Sequence, residues 1–195
     1  MNNQFPDPTR RLILMGGAAA ACAAATGCSG SSGAERPLVL ASLAAALAEV
    51  ERLGNAVPFD PAGTWTWSKT LLHCAQSIEY SMTGYPQPKS AWFQHTAGAA
   101  AFSYFSARGR MSHNLLEAIP GAAALDANAA AAHAVATLHK AVENFQKFTG
   151  PLQPHFAYGA LNRVEYEKAH AMHIANHLSV FDVAPNAARP VPARP

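Results

Sequence analysis

From Leu38 onward the apolar residues recur every three or four positions, and this spacing constrains the chain most. Leu40, Leu43, Leu47, Val50 and Leu53 lie on one face of a helix, with Glu49, Glu51 and Arg52 entering late and Gly54-Asn55 as the stop. A second helix runs from Trp67-Ser68 to Met82, with Leu71, Leu72, Ala75, Ile78 and Met82 as its stripe and Gly84, Pro86 and Pro88 behind it. A third, aromatic helix begins at Ser90 and reaches Arg108, where Gly109 ends it. The fourth takes Asp126 as N-cap and carries Val135, Leu138, Val142, Phe145 and Phe148 to a stop at Gly150-Pro151. The fifth runs from Asn162 to Phe181. No segment alternates as a strand does and no repeat appears, so the expected class is all-α.

The two ends read differently from the middle. Arg10 and Arg11 precede Leu12-Ile13-Leu14 and an alanine run to Ala25, the order of an export signal over residues 1–27. The arginine pair abutting the apolar run resembles a twin-arginine signal, with an ordinary secretory signal as the alternative. The stretch is too short and alanine-rich for a good membrane anchor. Ala25-Thr26-Gly27-Cys28 resembles a bacterial lipoprotein box, which makes Cys28 a lipidation candidate. Ala25 stands where that pattern has leucine, and ordinary signal cleavage nearby is the rival reading. Residues 28–37 read as a flexible tether, 38–182 as the folded domain and 183–195 as a disordered proline-rich tail. The expected location is therefore exported and periplasmic, with a lipid tether to the membrane as the further reading.

Composition closes some options. The chain has 3 Cys, and only Cys74 falls in the folded domain, so no internal disulfide is expected. It reads as a small buried hydrophobe rather than a ligand. A net charge of +2, scattered along the chain, argues against nucleic acid as a partner. The 9 His are many for a chain with 13% charged residues, and they are the place to look for chemistry.

His173 and His177 lie four apart, about 40° around one helix, where two imidazoles can share a metal ion. Nine histidines in 195 positions give about 0.4 such pairs by chance, so the spacing alone is a weak signal. A third ligand has to come from another helix. Half-buried, hydrogen-bonded packing histidines are the competing explanation.

The surroundings carry more. The run Trp67-Ser68-Lys69-Thr70-Leu71-Leu72-His73-Cys74-Ala75-Gln76-Ser77-Ile78-Glu79-Tyr80-Ser81 is followed by Gly109-Arg110-Met111 and Ile119-Pro120-Gly121. Pro154-His155-Phe156-Ala157-Tyr158-Gly159-Ala160-Leu161 and His173-Ile174-Ala175-Asn176-His177-Leu178-Ser179-Val180-Phe181 complete the set. In this order the motifs resemble the DUF1569 family, a branch of the DinB-like superfamily of metalloenzymes, over roughly Leu38 to Phe181. The resemblance implies an up-down-down-up four-helix bundle, here with one additional helix. It also implies a divalent metal, zinc or nickel, on His73, His173 and His177, with an open position for water or substrate. Some members of the superfamily are thiol-dependent transferases or isomerases, and this branch has no assigned reaction.

Three neutral imidazoles with an open position suit hydrolysis or thiol activation on a small-molecule substrate. The alternative is a lipoprotein that holds metal or ligand without turnover, with His155 or His170 closing the site. A metal-free bundle that keeps the histidines as packing is the third reading. Gln76, His155 and His170 are candidates for the shell around the ligands, and for His155 a role at the site or at a helix cap is equally open. Glu79 reads as structural, and Trp65 and Trp67 as packing. His95, His113, His133 and His139 have no partner at ligand spacing and read as surface or cap residues. A homodimer is compatible with such a bundle.

Overall fold

The computed structural model describes residues 35–55 and 64–182. The expected export signal, Cys28, most of the expected tether and the proline-rich tail lie outside these residues. Among the described residues the chain forms five helices and no strand beyond an isolated bridge between His155 and Gly159. None of the helices is long and apolar enough to cross a membrane.

Helix α1 spans Leu43–Gly54, beginning where the Ser42 hydroxyl accepts the Ala45 N–H at 3.2 Å. This is later than the apolar spacing suggests. The preceding segment is held instead by its own bonds, with Arg36 N–H donating to the Ser179 carbonyl at 2.8 Å. Helix α2 spans Trp67–Thr83, capped by the Thr66 hydroxyl and ended by Gly84 at φ 104°. Helix α3 is one continuous run made of Ala91–Phe93, a π turn over Gln94–Gly98, and Ala99–Arg108, with Gly109 left-handed at its end. Helix α4 spans Ala131–Lys147. The sequence places its cap at Asp126, and the structure corrects this. The Asp126 carboxylate accepts the Asn128 N–H at 2.8 Å, a local turn that competes with helix initiation. Helix α5 spans Arg163–Leu178 and starts on a capping box: Asn162 accepts from Glu165 N–H, and Glu165 accepts from Asn162 N–H.

Four of the helices close one core. Leu43, Val50 and Leu53 of α1 meet Leu71, Cys74 and Ile78 of α2, Leu138, Val142 and Phe145 of α4, and Tyr166, Ile174 and Leu178 of α5. Helix α3 stands outside this core. Of its aromatic residues only Phe102 is buried, in a smaller cluster with Met111, Ala169 and Met172. Cys74 is fully buried and burial pushes its thiol well above the usual range, as its reading as a hydrophobe requires.

The π turn in α3 has a packing consequence. A Cβ built on Gly98 would stand 1.9 Å from the Ala157 carbonyl oxygen, a backbone atom that cannot step aside cheaply. Gly98→Ala is therefore expected to cost about 1–3 kcal/mol through overpacking, read as a lowered Tm. A Tm unchanged from that of the unsubstituted protein would show that this close approach is not maintained.

Candidate metal centre

Helix α2 presents His73 and helix α5 presents His173 and His177. One ring nitrogen from each lies within 4.8 Å of the others, and the Nε2 atoms of His73 and His173 are 3.2 Å apart. Two imidazole nitrogens at about 2.0–2.1 Å from one tetrahedral ion stand roughly 3.3 Å apart, so this pair has ligand spacing. The three ring centroids are 4.6 to 5.0 Å from one another. His177 Nε2 is buried and has no hydrogen-bond partner, the condition of a donor atom with a lone pair to give.

The electrostatics agree with that donor set. Burial first, and then the neighbouring His113 and Lys69, hold the His73 imidazole at about 4. His173 and His177 are pushed well below the ordinary range, again by burial first and then by the neighbouring imidazoles. The trio is therefore neutral at pH 7, as ligation needs.

Two aromatic neighbours were not legible in the sequence. Trp65, expected to serve as packing at the start of α2, stacks on His177 at 5.9 Å and 10° and meets His73 edge-on at 5.0 Å. Lys69 Nζ sits 4.3 Å above the same indole. His113, expected at the surface or a cap, is instead half-buried against the cluster. Its ring is 5.2 Å from His173 and 5.0 Å from His177. Its Nδ1 is 3.0 Å from the Asn114 carbonyl, which places a proton on Nδ1 and leaves Nε2 as the lone pair. It arrives on the loop after Gly109, so no helical spacing could announce it.

The remaining candidates fall in different places. Gln76 donates from Nε2 to the Ala123 carbonyl at 3.1 Å, so its amide ties that same loop to α2. Glu79 is exposed. His170 is buried one turn before His173, between Phe145 and Tyr166, with Nε2 unpartnered and burial holding it at about 3. His155 is buried, with burial and the nearby His170 and His113 holding it at about 3. It caps no helix; its ring binds its own loop.

A cavity of about 190 Å³ joins these groups. His73, His113 and His173 line it together with His155 and His170, and Met111, Ile119 and Phe156 supply apolar wall. Glu117 is the one acidic residue among the described residues that line the cavity. The arrangement offers three ligands to a cation, a space beside them for a small molecule, and further imidazoles facing that molecule.

No curated protein and no solved structure matches the chain. A family model described as a protein of unknown function, DUF1569, matches residues 33–184. That span takes in all five helices, the three converging histidines and the cavity beside them, and the chain belongs to the DUF1569 family.

Proposed function

We propose that the protein is an exported metalloenzyme that binds one divalent ion, zinc or nickel, on His73, His173 and His177 and acts on a small molecule in the adjoining cavity. The observation that carries this reading is the convergence of three neutral imidazoles from two different helices, two of which, His73 and His173, line a mainly apolar cavity. The reading includes the DinB-like up-down-down-up arrangement of the four core helices, and a lipid tether at Cys28. A divalent ion on three imidazoles supplies Lewis acidity toward an oxygen or sulfur atom of the bound molecule. The chain's own groups do the rest. Met111, Ile119 and Phe156 exclude water, while Trp65 stacks against His177 and fixes its ring. The reaction class is hydrolysis or thiol-dependent transfer.

A second reading has its own support. His113 brings a fourth imidazole to within ring-contact distance of two of the three ligands. A site closed by it would hold metal or ligand without turnover. Zinc- and nickel-loaded protein assayed on small esters, amides and thiol–electrophile pairs separates the two. Turnover that vanishes in His173→Ala supports the enzyme. Stoichiometric metal with no turnover on any of these substrates supports the binding protein.

A further inference from the structure

The loop that carries His155 is built around that ring. His155 N–H donates to the Gly159 carbonyl at 2.8 Å, and Gly159 N–H returns to the His155 carbonyl at 3.1 Å. Gly159, at φ 77°, makes the turn that a side chain would strain. Within this turn, Nδ1 of His155 accepts the N–H groups of both Ala157 and Tyr158 at 3.2 Å. A nitrogen that accepts two backbone N–H groups carries a lone pair, so the proton of the neutral ring sits on Nε2. The ring has no freedom to turn. Its face lies on Tyr158 at 4.3 Å and 9°, with Phe156 at 4.7 Å and Tyr85 at 5.1 Å beside it.

The Nε2–H is left over from this scheme. No protein acceptor takes it among the described residues, nor is it sealed from solvent as the Nε2 atoms of His170 and His177 are. The open space that His155 lines is the cavity shared with His73 and His173. A donor whose proton position and orientation are both fixed, in a mainly apolar cavity, selects for an acceptor.

We infer that the Nε2–H of His155 is a fixed hydrogen-bond donor to the molecule bound in this cavity, and that this molecule is small, largely apolar and carries a carbonyl or carboxylate oxygen. The inference rests on the reading of the cavity as the ligand site and names the ligand's class. A ligand with donors alone would displace water from the space and leave the N–H without a partner, which is unfavourable. His155 acts here as a specificity-determining residue, apart from the metal ligands.

The test uses zinc-loaded, uniformly ¹⁵N-labelled protein and three probes: butyrate, butyramide and butylamine. The expected spectrum shows His155 neutral and protonated at Nε2 across about pH 6–8. Butyrate or butyramide moves the Nε2–H resonance and butylamine does not. If butyrate alone moves it, the acceptor is a carboxylate; if both do, it is a carbonyl oxygen of either kind. In His155→Asn the amide oxygen can keep the two loop bonds of Nδ1 while the donor is lost. Affinity for the acceptor probe then falls roughly 2- to 10-fold, with the fold retained by circular dichroism. A ring protonated on Nδ1 overturns the inference. Probe shifts at Met111 and Ile119 without a shift at His155 overturn it alone. No shift at any cavity residue overturns it together with the reading it rests on.

Discussion

Freed of metal by a chelator, the protein is expected to unfold on acidification with a midpoint at about pH 5, above the ordinary value of a carboxylate. Six histidines are held below their ordinary value of 6.5, each chiefly by burial: His73, His113, His155, His170, His173 and His177. The unfolded chain protonates all six as the pH falls through 6.5, while the folded chain does not until about 4 for His73 and about 3 for His155 and His170. The folded pKa is the lower one, so stability is fully present above about 6.5 and is lost as the pH falls from there toward 4. Each group contributes up to about 1.4 kcal/mol per pH unit within that window. Even half of the summed effect rivals the whole stability of a domain, which is about 5–15 kcal/mol. The Glu49 carboxylate, lowered by Arg52 and Arg36, gives a further loss only below its ordinary value of 4.5, so the two effects separate on the pH axis. Circular dichroism across pH checks this. A native signal that persists to pH 4 without metal would mean that the imidazoles are not buried as described.

The second large effect is that of the metal itself. A ligand that binds only the folded state at a thousand times its Kd stabilises by about 4.1 kcal/mol. For a domain of this size that corresponds to a rise in Tm of roughly 8–16 °C. Zinc is expected to give such a rise in the unsubstituted protein and to move the acid transition to lower pH. His177→Ala removes the buried Nε2 that has no other partner, and should abolish the rise. His170→Ala is the control. It deletes an equally buried imidazole of the same helix that lies outside the converging trio, and should leave most of the zinc response in place. A zinc response equal in His177→Ala and the unsubstituted protein would place the ion elsewhere.

How much of this the sequence disclosed follows from which contacts are local. Helices α1, α2 and α4 could be read because each buries a face spaced three and four apart, and helix ends because Gly84, Gly109 and the Asn162–Glu165 box terminate or start them by local bonds. The start of α4 could not be placed from Asp126, since an Asx turn and an N-cap use the same carboxylate and only the onward path of the chain separates them. His173 and His177 share a helix and so announce their pairing, while His73 needed the family resemblance. His113 and Trp65 come from loops, and their positions depend on how those loops close over the bundle. The tautomer of His155 needed the Gly159 turn in three dimensions, although the residues of the turn were visible as a motif. The cavity belongs to no single segment and had no sequence signal.

The central claim is that His73, His173 and His177 form one metal site. Equilibrium dialysis of the purified protein against zinc, beside His173→Ala, tests it most directly. The account predicts one tightly held ion per chain and a loss of affinity in the variant of at least about a hundredfold, beyond the usual cost of removing a supporting residue. No stoichiometric zinc or nickel in the unsubstituted protein, or equal binding by the variant, would contradict it.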